Sequence, residues 1–179
     1  MMNVENLPKE LLGVCKRVNA GLNLWGESTN RVAKASHITW IDRNFGHWKY
    51  KALWPFICPT RTVELVRIVD GSTRYEGYVY GLEEIMSCNY LAETEALENT
   101  GYFVFASLIG GEYLVIDTRK GTQLSVKLIY RPKMVVETWS AGAIKEVLNP
   151  EAVFPTPCSI STLYQYWAKD REGESFEWF

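Results

Sequence analysis

Glu112 and Asp117 are the two carboxylates of the stretch Gly110-Gly111-Glu112-Tyr113-Leu114-Val115-Ile116-Asp117. Two acids flanking one bond are the equipment of a hydrolase, one as acid and one as base or nucleophile. The residues between them are apolar and partly β-branched, which predicts a strand. On a strand, five residues span about 16 Å and put the two side chains on opposite faces. That is too far for joint action on one bond. Both acids are therefore read as strand-end groups, solvated or bonded to turn amides.

The other reactive residue types give no better constellation. His37 and His47 lie ten residues apart and make no metal site by themselves. Cys15, Cys58, Cys88 and Cys158 have none of the close spacings of zinc or redox motifs, so they read as free thiols of a reducing cytoplasm. Ser107 sits inside an apolar run with no base beside it, as a hydrogen-bonded strand residue would. The metal, nucleotide and hydrolase signatures are absent. The expectation is a non-enzyme with no cofactor and no metal site.

Charge is the stronger signal. Net charge is −2, but no Lys, Arg or His occurs between Arg74 and Arg119. That interval holds Glu76, Glu83, Glu84, Glu93, Glu95, Glu98, Glu112 and Asp117. The segment from Ser28 to Val63 is its opposite, with Arg31, Lys34, Arg43, Lys49, Lys51 and Arg61 against Asp42. Such asymmetry steers a partner of opposite charge, unless the two segments face each other and cancel. The basic segment also carries Trp40, Phe45, Trp48 and Tyr50, a composition that suits single-stranded nucleic acid by stacking. The chain as a whole is slightly acidic and has no RNA-binding signature, which argues against that use.

The elements that must position these residues follow from periodicity and turn chemistry. At 179 residues the chain is long enough for one domain with a real core. Seven tryptophans and 13% aromatic residues exceed what a core of this size needs, unless the core itself is large and aromatic. Pro8 opens a first helix that Asn19-Ala20-Gly21 ends. Ala35 to Ile41 reads as a short strand, and Trp54 to Pro59 as an apolar loop. Thr62 to Val69 and Tyr75 to Tyr80 form a hairpin around Asp70-Gly71. Leu82, Ile85, Met86 and Tyr90 share the face of a helix that leaves Glu83 and Glu84 outside, with helical character extending from Glu93 to Leu97.

Tyr102 to Ile109, Glu112 to Asp117 and Thr122 to Tyr130 are predicted as three antiparallel strands in a meander. Gly110-Gly111 and Gly121 supply the turns between them. Trp139 to Leu148 reads as a helix ended by Asn149-Pro150. Pro155 and Pro157 mark a loop, and Ser159 caps a last helix bearing Leu163, Tyr166 and Trp167. The tail carries Phe176, Trp178 and Phe179. The amino terminus has no secretory leader pattern, and no apolar run is long enough to span a bilayer. The expectation is a cytoplasmic chain away from membranes.

This order of elements resembles the SUKH superfamily, which includes yeast cell-wall-assembly and glucan-synthesis regulators and bacterial immunity proteins. The resemblance is carried by Leu7-Pro8, by Asn19-Ala20-Gly21 and by Tyr80-Gly81-Leu82-Glu83-Glu84-Ile85. Its strongest part is Tyr102-Phe103-Val104-Phe105-Ala106 followed by Gly110-Gly111-Glu112 and Asp117. The match covers mainly residues 80 to 130, and Glu112 stands where the family often has Asp.

The resemblance implies a single α+β domain over residues 1–179, with helices packed on a mostly antiparallel, bent sheet. It also implies a non-enzymatic protein-binding role, typically neutralising a toxin such as a nuclease. The acidic interval would then meet a basic toxin domain, with Glu83, Glu84, Glu93, Glu95, Glu98, Glu112 and Asp117 as the partner-binding set. Two alternatives stay open. One is an enzyme or small-ligand site assembled from sequence-remote residues. The other is a nucleic-acid accessory role for residues 31–51.

Overall fold

The computed structural model describes residues 34–49, 51, 61–69, 72–88, 96–97, 99–119, 125–160 and 162–163. The predicted first helix, the Trp54 to Pro59 loop, Tyr90, Glu93, Glu95, Glu98, Gly121 and the aromatic tail lie outside the described residues.

An α+β architecture results. Among the described residues, two helices, α1 (Ala35–Phe45) and α2 (Leu82–Cys88), accompany eight strands. These are β1 (Val63–Val69), β2 (Ser72–Val79), β3 (Tyr102–Leu108), β4 (Glu112–Asp117), β5 (Ser125–Tyr130), β6 (Val135–Ser140), β7 (Ala143–Leu148) and β8 (Val153–Ser159). Six of them form one sheet in the order β1-β2-β3-β4-β5-β8, and every pairing in it is antiparallel. β6 and β7 form a separate two-stranded sheet.

The expected meander is the centre of the large sheet. β3 pairs β4 with Tyr102 opposite Asp117, and β4 pairs β5 with Glu112 opposite Tyr130. Both faces of β3 and β4 are covered, which is why they read as unbroken apolar runs, whereas β5 leaves Ser125, Lys127 and Tyr130 only partly buried. One face carries Tyr102, Val104, Tyr113, Val115 and Ile129, which cluster with Leu97 and Met134. On the other side Phe103 meets three rings. Phe45 packs edge-on at 5.3 Å, Trp48 lies at 5.5 Å and Trp40 at 6.3 Å. The aromatic surplus near the basic segment is thus core, and Trp40, Phe45 and Trp48 are all buried.

The β1–β2 hairpin forms as expected, with a bulge that shifts register between Leu65 and Val66. Gly77 sits there at φ +148°, where any Cβ would lie 2.0 Å from the Ser107 carbonyl oxygen. Only glycine lets β2 approach β3 this closely. Gly111 takes φ +88° in the turn between β3 and β4, as a tight glycine turn requires.

Three local expectations are corrected. Ala35 to Ile41 is helical, because His37, Trp40, Ile41 and Phe45 are buried at helical spacing along one face. Trp139 to Leu148 is no helix. It belongs to the β6–β7 hairpin, closed by Ala141 (φ 51°) and Gly142 (φ 81°). Two central residues with positive φ make the tight turn whose twist matches that of the flanking strands. Pro155 and Pro157 lie in β8 rather than in a loop, on an edge strand, where a missing N–H is tolerated. Ser159 does cap the turn that follows, accepting a bond from the Thr162 amide at 3.3 Å.

Candidate functional site

The seven acids expected to form a contact surface do not behave alike. Glu83 projects from α2 and is 62% exposed on its side chain. It is not isolated: Lys34 Nζ reaches its Oε1 at 2.5 Å, and His37 Nε2 lies 3.2 Å from the same oxygen. The hydrogen bond from Lys34, then that from His37, hold the Glu83 carboxyl below the usual carboxylate range. Here the basic segment meets the acidic one and neutralises it. Glu84 beside it is exposed. Glu112 is half-buried at the start of β4.

Asp117 is 1% exposed and belongs to the core. Arg119 grips both of its oxygens, and the Arg119 backbone N–H donates to Oδ1 at 3.2 Å. Burial pushes the Asp117 carboxyl up. The side-chain and backbone hydrogen bonds from Arg119, with the Arg119 charge, outweigh burial and hold it below its ordinary value. The Arg119 guanidinium also stacks over the Tyr102 ring at 4.5 Å. An approaching partner meets Arg119 at this point, not Asp117.

No pair of groups is poised for nucleophilic chemistry among the described residues. His47 Nε2 lies 3.0 Å from Thr118 Oγ1, the distance of a base beside a nucleophile. The Thr118 hydroxyl, however, donates its proton to the Gly101 carbonyl at 2.7 Å. His47 must therefore donate to Thr118, the reverse of what activation needs. Ser107 is buried in β3 beside Tyr80. Burial pushes the Tyr80 phenol up to about 12, against the hydrogen bond from Ser107. Burial also raises the Cys88 thiol, so it is no activated thiolate. No cluster of three metal-ligating side chains occurs among the described residues. No helix among them is long and apolar enough to cross a membrane.

Two features remain that a ligand or partner could use. The first is a cleft of about 650 Å³ between the Asn99–Tyr102 turn and the base of the β6–β7 hairpin, bordered by Arg119, Lys127 and Glu146 with apolar groups around them. Its residues come from four separate stretches of chain, 96–102, 119, 127 and 146–153, which is why no motif announced it.

The second is the hairpin itself. All six residues of β6 are exposed, as are the first four of β7. Trp139 is 74% exposed and Ile144 61%, and the two stand opposite each other near the tip. The root is fastened. Met134 is buried in the core cluster, and its carbonyl accepts from the Asn149 amide at 2.7 Å. The Asn149 side chain bonds the Lys133 carbonyl at 3.0 Å and caps Glu151 at 3.1 Å. A rigid base thus carries an apolar tip into solvent. In sequence, the β-branched Val135, Val136 and Thr138 and the Ala141-Gly142 step were the signal for it.

No protein-family model matches the chain, and neither a curated protein nor a solved structure matches it.

Proposed function

We propose that this chain is a non-enzymatic protein-binding module of the cytoplasm, and that it acts as an immunity protein does, by covering a toxic partner such as a nuclease. The observation that carries the binding role is the β6–β7 hairpin, which holds Trp139 and Ile144 in solvent on a fastened base. A bare two-stranded hairpin is marginal in water, and large exposed aromatic groups are typical contact anchors. The toxin as partner rests on the SUKH resemblance of residues 80 to 130. Glu84 and Glu112 remain as flanking contacts that would steer a basic protein, with Glu83 partly neutralised by Lys34.

The test is capture by the tagged full chain from cells carrying its native gene. A protein held in fixed ratio, whose toxicity or nuclease activity falls when bound, is the expected result. The Trp139→Ala, Ile144→Ala variant should release it. Failure to capture any protein, or capture unaffected by that variant, would overturn the reading.

The cleft favours a second reading, a small anionic ligand held between Arg119 and Lys127. Thermal-shift screening with small carboxylates and phosphates tests it. A shift that persists in Lys127→Gln would count against it.

A further inference from the structure

The register of the hairpin places Val135 opposite Leu148, Glu137 opposite Glu146 and Trp139 opposite Ile144. Side chains alternate along a strand, so these three pairs share one face. Glu137 and Glu146 are both exposed. Directly opposed side chains in an antiparallel pair sit about 5 Å apart, and like charges there destabilise the hairpin.

Nothing among the described residues relieves this repulsion. Neither carboxylate has an ion-pair partner among the described residues. Lys145 stands opposite Thr138, one position along and on the other face. Lys127 borders the same cleft as Glu146 without pairing with it. A free-standing two-stranded sheet has little stability to spare, yet this one carries an uncompensated acidic pair between two apolar pairs.

We propose, building on the protein-binding reading above, that this face takes a segment of another protein in which an arginine or lysine is flanked by apolar side chains. A single cation between the two carboxylates removes their repulsion, and the arginine fork can bond both. Trp139 supplies the ring face on which a guanidinium or an apolar neighbour stacks. The same face of a second copy would bring four carboxylates together, so charge selects a basic partner over self-association.

Fluorescence polarisation tests this with the full chain and three labelled peptides, one alternating arginine with leucine, one glutamate with leucine, one arginine with glycine. The arginine–leucine peptide should bind best, by about tenfold or more over either other peptide. The double variant Glu137→Gln, Glu146→Gln should lose about tenfold of that binding while its melting temperature holds or rises, because removing opposed like charges relieves repulsion. A residue pair with a purely structural role would move the melting temperature down instead. The charge-matched control Glu64→Gln, Glu151→Gln should bind like the wild type.

Three results with the peptides and variants overturn the proposal, and a fourth comes from a captured partner. One is unchanged peptide affinity in the Glu137, Glu146 variant. Another is an equal loss in the control, which would mean bulk charge alone. The third is a concentration-dependent dimer, abolished by Trp139→Ala, with no preference for the arginine–leucine peptide. If a captured protein partner binds the Glu137, Glu146 variant as tightly as the wild type, this proposal fails while the protein-binding reading stands.

Discussion

Arg119 closes on Asp117 as a two-toothed fork, with Nε 2.9 Å from Oδ1 and the second guanidinium nitrogen 3.0 Å from Oδ2. The carboxylate end is fully buried while the guanidinium remains about half exposed. Asp117→Asn should therefore cost about 1.5–3 kcal/mol, the usual range for a hydrogen bond to a charged group. Folded Asp117 ionises below an unfolded aspartate, whose pKa is about 3.9. Its stabilisation is complete above the unfolded value and is lost as the pH falls through the folded one. Denaturant melts of both proteins at about pH 6 and about pH 2 check this. The stability gap should be wide at the higher pH and narrow at the lower.

Gly110 and Gly111 should respond differently to alanine. At Gly111 there is room for a Cβ, but φ is +88°, so Gly111→Ala should cost about 1 kcal/mol from the backbone alone. At Gly110 a Cβ would meet the Glu112 carboxylate at 2.5 Å, the end of a side chain that can swing away. Gly110→Ala should have the smaller effect. Thermal melts rank the two, and partner affinity should survive both.

The hairpin turn can be improved. Ala141 adopts φ 51°, a region that costs most residues about 1–2 kcal/mol and asparagine less. Ala141→Asn creates the Asn-Gly pair preferred in such turns. Amide hydrogen exchange within Val135–Leu148 should slow, with little change elsewhere.

Phe103 is where helix α1 and the segment after it are joined to the sheet, through Trp40, Phe45 and Trp48. Phe103→Ala should cost about 3–5 kcal/mol. Loss of near-ultraviolet circular dichroism from the tryptophans, at lower denaturant than in the wild type, is the expected reading. Phe103→Leu should recover part of the loss.

The central strands were legible because a strand covered on both faces leaves a continuous apolar run, and because Gly110-Gly111 marks the turn. The hairpin at Val135–Leu148 was hidden by coincidence of spacing. Trp139, Ile144, Val147 and Leu148 recur as on a helix, and Ala141 is no conventional turn residue at positive φ. Helix α1 was obscured because one of its buried positions is His37, a polar residue in an apolar stripe. The acidic contact set was read from charge alone. Charge density along a chain says nothing of a partner 49 residues away, such as Lys34 for Glu83, nor of which acid the fold encloses. The opposed glutamates Glu137 and Glu146 became neighbours only through the register of the hairpin.

The prolines of β8 have a consequence for what the large sheet is free to do. Among the described strands β8 is the outer one on its side of the sheet, and Pro155 and Pro157 carry no backbone hydrogen to offer. A further strand arriving there would find gaps in the ladder, whether it came from another copy of the chain or from a fibril seed. The prolines of β8 therefore act as an end-stop against aggregation from that edge.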